Sequence, residues 1–228
     1  MSVITVFVSG RPGSGKTTVI NHMKLLAQGK GWQPVHMKDY PILYKMFRED
    51  IANQGGRFEP TAYGGFKIVD YRTFDEALLI LEEQIQKREQ ELHNSSQHEI
   101  LLVEFARSHY QEALKTFTRD FLRKVYFFYI EADVECCIQR IHQRVTSFSS
   151  ENRPEDHHYV PDEILRSYYS QRDWDYMTRR FKEEFGMTKK VVAYRNMRAY
   201  TDLLEEVEAF IKDIFANEGI NVEQFVGV

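Results

Sequence analysis

Gly10-Arg11-Pro12-Gly13-Ser14-Gly15-Lys16-Thr17 follows the apolar stretch Val3-Ile4-Thr5-Val6-Phe7-Val8, and this junction carries the strongest signal in the chain. The spacing G-x-x-x-x-G-K-T belongs to a loop whose backbone N–H groups turn inward on phosphate oxygens. Lys16 adds a point charge there and Thr17 a hydroxyl suited to magnesium. Such a loop needs a strand before it and a helix after it. Residues 3–8 read as a buried strand, and Val19, Ile20, Met23, Leu26 and Ala27 recur at helical spacing behind Lys16. The N-terminus of that helix would aim its free N–H groups at the phosphates. Gly10, Gly13, Ser14, Gly15, Lys16, Thr17 and Thr18 are therefore the expected nucleotide-binding residues.

Outward from the loop, strands alternate with helices. Residues 33–38 offer a second strand that ends at Asp39-Tyr40-Pro41, where proline stops the strand and opens a helix towards Ala52. Residues 53–71 are a long connection rich in glycine and aromatics, a length that suggests function or mobility. Thr73 and Glu76 are spaced as a capping box ahead of a long amphipathic helix. Residues 100–105 read as a third strand, 110–122 as a helix, 125–130 as a fourth strand, and Asp133 as the cap of a helix carrying Arg140 and Arg144 four positions apart. After the polar stretch 147–158 a further helical region starts near Pro161 with a break before Gly186. A fifth strand over 190–194 and a final amphipathic helix complete the order. This alternation predicts a parallel sheet with helices on both faces and a ligand at its carboxyl edge. The phosphate loop, Asp39 and the segment from Glu104 to Arg107 all fall at that edge.

Composition narrows the partners. The 228 residues are 43% apolar, enough for a substantial core, and carry 30 basic against 34 acidic side chains. A net charge of −4 argues against broad attraction to nucleic acid or anionic membrane. Cys136 and Cys137 are adjacent in a helical segment and suit neither an ordinary disulfide nor a zinc site. No run of 18 apolar residues is present, so a reducing, cytoplasmic setting without membrane insertion is expected. His157 and His158 invite a metal reading, but adjacent histidines point apart and no cysteine accompanies them.

The phosphate loop, together with Val125 to Asp133 leading into Arg140-Ile141-His142-Gln143-Arg144, resembles the P-loop kinases of the nucleoside and nucleotide kinase group, adenylate-kinase-like in overall order. The resemblance implies an α/β, three-layer P-loop NTPase fold with about five parallel strands and a helical lid, residues 1–228 forming one domain. It implies an acceptor-binding region over 39–75 and a lid over 140–165. By resemblance Arg140 and Arg144 are lid arginines that offset charge on the transferred phosphoryl group, with Arg153 reaching the nucleotide on closure. A solvated basic helix face is the competing account of the Arg140–Arg144 pair.

Glu104 stands where related kinases carry a strand-end acid. It suits either a proton acceptor or a group holding magnesium through water, and Arg107 suits a phosphate or Glu104 itself. Asp39, Tyr40 and Arg48 occupy the acceptor region of the family. Asp39 is equally able to cap the following helix, Tyr40 to pack and Arg48 to sit at the surface. Tyr63, Phe66 and Tyr71 offer rings for stacking on a substrate or on each other. The expected activity is ATP- and magnesium-dependent phosphoryl transfer to a small hydroxyl or phosphate acceptor. A kinase acting on a hydroxyl in DNA and a regulatory ATPase switch are the alternatives. The first is disfavoured by the acidic balance, the second by a single acid at Glu104 and no N-K-x-D sequence. Oligomeric state is not legible.

Overall fold

Alternate residues of the central strands feed two separate apolar layers, and that alternation builds the architecture. The structure, a computed structural model, describes residues 2–61, 65–92, 97–146, 160–197 and 199–220. Tyr63, Arg153, His157 and His158 lie outside these residues. The elements run β1 (Val3–Ser9), α1 (Lys16–Gln28), β2 (Gln33–Lys38), α2 (Tyr40–Ala52), β3 (Phe58–Pro60), β4 (Phe66–Ile68), α3 (Arg72–Leu92) and β5 (Glu99–Phe105). They continue through α4 (Tyr110–Leu114), α5 (Arg119–Leu122), β6 (Tyr126–Glu131), α6 (Val134–Thr146) and α7 (Asp162–Ser167). A π-helical turn (Tyr176–Arg180), α8 (Phe181–Phe185), β7 (Val191–Arg195) and α9 (Tyr200–Asn217) complete the series.

Five strands form a parallel sheet in the order β2-β5-β1-β6-β7. Ile4, Val6 and Val8 of β1 join Ile100 and Leu102 of β5 in one layer against Val19, Ile20 and Met23 of α1 and Val207, Phe210 and Ile211 of α9. Phe7, Leu101, Val103 and Phe127 face the opposite layer, which α2, α3, α4, α5 and α8 cover. Strands buried on both faces read as continuous apolar runs for this reason. Phe7 is fully buried and meets Phe105 and Phe117 edge-on at centroid distances of 5.6 and 5.2 Å. Edge-on ring pairs add about 0.5–1.5 kcal/mol each beyond area burial.

The five-stranded parallel sheet agrees with the sequence reading; several local features do not. β3 and β4 pair antiparallel inside the connection read as loop. Thr73 is not a cap: α3 begins at Arg72, whose N–H donates to Asp70 Oδ1 at 3.1 Å, while Arg57 donates to Thr73 Oγ1 and Glu76. The helix expected over 110–122 is broken in two. Buried Glu82 of α3 accepts from both the backbone N–H and the hydroxyl of Thr118, so a side chain binds an N–H that a continuous helix would pair internally. Asp133 does cap α6, accepting from the Glu135 N–H at 3.0 Å. Both cysteines are free. Among the described residues no helix is long and apolar enough to cross a membrane.

Candidate active site

The loop between β1 and α1 has the backbone its glycines require. Gly13 has φ +78°, and a Cβ there would come within 2.6 Å of the Cys137 carbonyl oxygen. Gly10 has φ +148°, and its Cβ would lie 2.3 Å from the Ile130 carbonyl oxygen, so α6 and β6 both press on the loop. The Gly10 N–H donates to Tyr110 Oη (2.7 Å), whose own hydroxyl donates to the Phe105 carbonyl (3.2 Å). Buried Arg11 donates to the Gln171 carbonyl at 2.7 Å, tying the loop to the segment after α7. Lys16 Nζ donates inward to the carbonyls of Gly10 (2.9 Å) and Arg11 (3.1 Å) and lies 3.9 Å from Glu104 Oε1. Burial pushes the Lys16 ammonium down, while Glu104 and Asp39 oppose that shift. Ser9 Oγ and Ser14 Oγ are buried at the loop without a hydrogen-bond partner among the described residues. Thr17 is exposed and Thr18 half-buried at the start of α1.

Two carboxylates close the same edge. Lys38, the last residue of β2, is register partner to Glu104 of β5, which puts Asp39 just beyond Glu104. Glu104 Oε2 accepts from His36 Nε2 at 3.0 Å. Burial pushes the Glu104 carboxyl up, but the His36 hydrogen bond and the Lys16 charge together outweigh it and bring the group down to about 2. Asp39 is nearly buried and accepts from Arg107 Nη1. Burial pushes its carboxyl up, Arg107 pulls it back, and the net direction is up. Arg107 also donates to the carbonyls of Ala106 (2.7 Å) and Phe74 (3.0 Å), lies 4.5 Å from the Phe74 ring centroid, and keeps a buried Nε–H with no partner among the described residues.

Of the expected site residues, the loop, Glu104, Asp39 and Arg107 converge. Asp39 makes no side-chain cap to α2, and Arg107 pairs with Asp39 rather than with Glu104. Tyr40 stacks on Phe66 at 5.8 Å and joins the aromatic packing between α2 and the β3–β4 hairpin. Arg48 is exposed on α2. Phe66 is likewise committed to packing, at 5.2 Å from Phe47. Tyr71 stacks on Tyr168 at 5.2 Å, and Tyr168 on Phe74 at 5.5 Å, so an aromatic layer borders the Asp39–Arg107 pair.

Arg140 turns towards the loop backbone, reaching the carbonyls of Gly13 (3.5 Å), Ser14 (3.4 Å) and Asn196 (3.2 Å). With Gly15, Thr18, Asn196, Tyr200 and Leu203 it lines a cleft of about 280 Å³ beside the start of α1. Arg144 is exposed one turn further along α6, and its charge opposes that of Lys16.

His36, Tyr110 and Asn196 are site residues that the sequence did not flag. Asn196 follows directly on β7, where its Nδ2 donates to the Ser14 carbonyl at 2.8 Å, so the rule that ligands lie beyond carboxyl ends of strands was the available signal. His36 lies inside a strand, and only sheet register brings it to Glu104. Among the described residues no cluster of three or more histidine, cysteine or acidic side chains is arranged for a metal ion.

No family model matches the chain, and no curated protein matches it in sequence. Solved structures do share its architecture. A gluconokinase from Sinorhizobium meliloti matches at 14% identity over 95% of each chain, with a TM-score of 0.52. An unliganded sugar kinase from a Janibacter species matches at 16% identity over 92% of this chain and 95% of that one, with a TM-score of 0.50. The chain thus shares the fold of these two kinases.

Proposed function

We propose that the chain is a kinase that moves the γ-phosphoryl group of ATP to a hydroxyl of a small, polar metabolite. The observation that carries this reading is the convergence of Lys16, Glu104 and the Asp39–Arg107 pair at one sheet edge. Hydroxyls at Ser9 and Ser14 without a partner among the described residues, and a lysine that binds its own loop and faces Glu104, fit a bed for phosphate oxygens. The cleft lined by Arg140, Asn196 and Tyr200 suits the nucleotide base.

The two acids take different roles because their surroundings push them apart. Glu104 is ionised at any working pH and is a weak base; it suits magnesium held through water, together with the Thr17 hydroxyl. Magnesium, when bound, would offset charge on the β and γ phosphates. Asp39 is the better proton acceptor. The acceptor oxygen attacks the γ phosphorus, its proton passes to an Asp39 carboxylate oxygen, and the bond from phosphorus to the bridging oxygen of ADP breaks. Arg107 opposes the burial that pushes the Asp39 carboxyl up, and its Nε–H, without a partner among the described residues, suits an acceptor oxygen. Lys16 and Arg144 would steady charge on the moving group, and Arg153 remains a candidate for the same task. The fold neighbours, a gluconokinase and a sugar kinase, favour hydroxyl acceptors over phosphates, and the net charge of −4 weighs against DNA.

The test is transfer from γ-labelled ATP with magnesium to a panel of sugars, sugar acids, polyols, nucleosides, nucleoside monophosphates and short DNA, each product resolved by mass. A labelled small hydroxyl compound is expected. Label on DNA alone, or free phosphate alone, would overturn the reading in favour of a polymer kinase or an ATPase.

A further inference from the structure

His36 lies three residues before Asp39, inside the edge strand β2, and its ring is 14% exposed. Its two nitrogens face different elements. Nε2 is 3.0 Å from Glu104 Oε2 on β5, and Nδ1 is 3.5 Å from Lys24 Nζ on α1. An ammonium only donates, so Nδ1 is the acceptor and the ring proton sits on Nε2, where it donates to the carboxylate. Glu104 is thereby held by one oxygen: Oε2 is taken by His36, and Oε1 is turned to Lys16 at 3.9 Å. The imidazole ties α1, β2 and β5 together at the carboxylate beside the phosphate loop.

We infer that His36 is a positioning residue whose Nε2–H fixes the Glu104 carboxylate so that one oxygen is presented to the magnesium–nucleotide site. This rests on the kinase reading for the identity of the metal complex, but not for the hydrogen bond. Lys24, Lys38 and Glu104 are the charged groups facing the ring from α1, β2 and β5, and Lys45 and Glu49 of α2 border the same groove. Groups that orient a metal-site carboxylate typically change metal affinity 10–100-fold when removed.

The experiment measures Mn²⁺ affinity by electron paramagnetic resonance on the full chain loaded with a non-hydrolysable ATP analogue, for the native protein, His36→Phe and His36→Gln. His36→Phe removes the donor and is expected to weaken Mn²⁺ binding about tenfold, with analogue affinity in the absence of metal changed less than about threefold. His36→Gln keeps an N–H at comparable reach and should recover most of the loss. Equal Mn²⁺ affinity in all three proteins, or a Gln variant as weak as Phe, would overturn the inference. Should His36→Phe fail to fold, ¹⁵N-histidine spectra of the native chain decide: an Nε2–H tautomer at His36 supports the assignment, and an Nδ1–H tautomer refutes it. If the native chain phosphorylates no hydroxyl compound yet the Mn²⁺ difference persists, the kinase reading fails while this inference stands.

Discussion

The backbone N–H of Asp39 donates to the carbonyl oxygen of Glu104 at 3.3 Å, which ties the residue just past β2 to the penultimate residue of β5. Their side chains diverge from that shared point. Glu104 turns to His36 and Lys16, and Asp39 turns to Arg107. One acid is brought down to about 2 and the other is shifted up, which divides metal support from proton acceptance.

Asp39→Asn and Glu104→Gln should therefore fail differently. Asp39→Asn removes the proton acceptor and is expected to lower kcat about 10²–10⁴-fold at saturating magnesium. Glu104→Gln should raise the magnesium concentration needed for half-maximal rate, with much of kcat recovered at high magnesium. Steady-state rates over a magnesium titration separate the two, and identical profiles would defeat the division of roles.

Lys16→Met keeps the length of the side chain and removes its charge. A kcat loss of about 10²–10³-fold is expected from removing one preorganised cation at the phosphates. Thermal stability should be unchanged or higher, because the lysine is desolvated in the absence of ligand. Phosphoryl-transfer rates and melting curves on the same samples check both parts.

Gly13→Ala places a methyl group 2.6 Å from the Cys137 carbonyl at φ +78°. Loop and helix α6 must move apart, at a cost of about 1–3 kcal/mol for the strained backbone. ATP binding measured by calorimetry should be lost or weakened at least about tenfold. Native-like binding would mean that the loop tolerates the shift.

Asp173 is 4% exposed, and burial pushes its carboxyl up to about 6 from 3.8, with Glu131 adding to the rise and the Tyr110 N–H, His109 and Arg11 opposing it. A raised folded-state value makes the carboxyl favourable below pH 3.8, and that advantage is lost as pH rises through about 6. Asp173→Asn, which stays neutral and keeps an oxygen for the Tyr110 N–H, should stabilise the chain at pH 8 by up to about 3 kcal/mol. At about 2–4 °C per kcal/mol the gain is visible as a higher Tm at pH 8 that shrinks towards pH 4.5. A Tm difference independent of pH would contradict the assignment.

Phe7→Ala removes a fully buried ring at the centre of the sheet, in contact with Phe105 and Phe117. A loss of about 3–5 kcal/mol is expected in urea unfolding, with the slope unchanged.

Sequence alone specifies the phosphate loop, the strand before it, the helix after it, and a five-stranded parallel sheet with polar residues at its carboxyl edge. Those features are local: a glycine spacing, an apolar run and a helical period each specify backbone shape within a few residues of themselves. Tertiary structure decided the partners. Arg107 could not be assigned to Asp39 over Glu104, nor His36 to Glu104, until the register of β2 on β5 set Lys38 opposite Glu104. Strand register depends on side chains packed on both faces of the sheet, far apart in the chain. Thr118 gives its N–H and hydroxyl to Glu82, which arrives from α3 between the two short helices. Tyr40 and Phe66, which alone read equally as substrate contacts or packing, were claimed by each other when the β3–β4 hairpin folded onto α2. Pairings between distant residues carry the chemistry of this site, and the burial that shifts their charges exists only after the chain has folded.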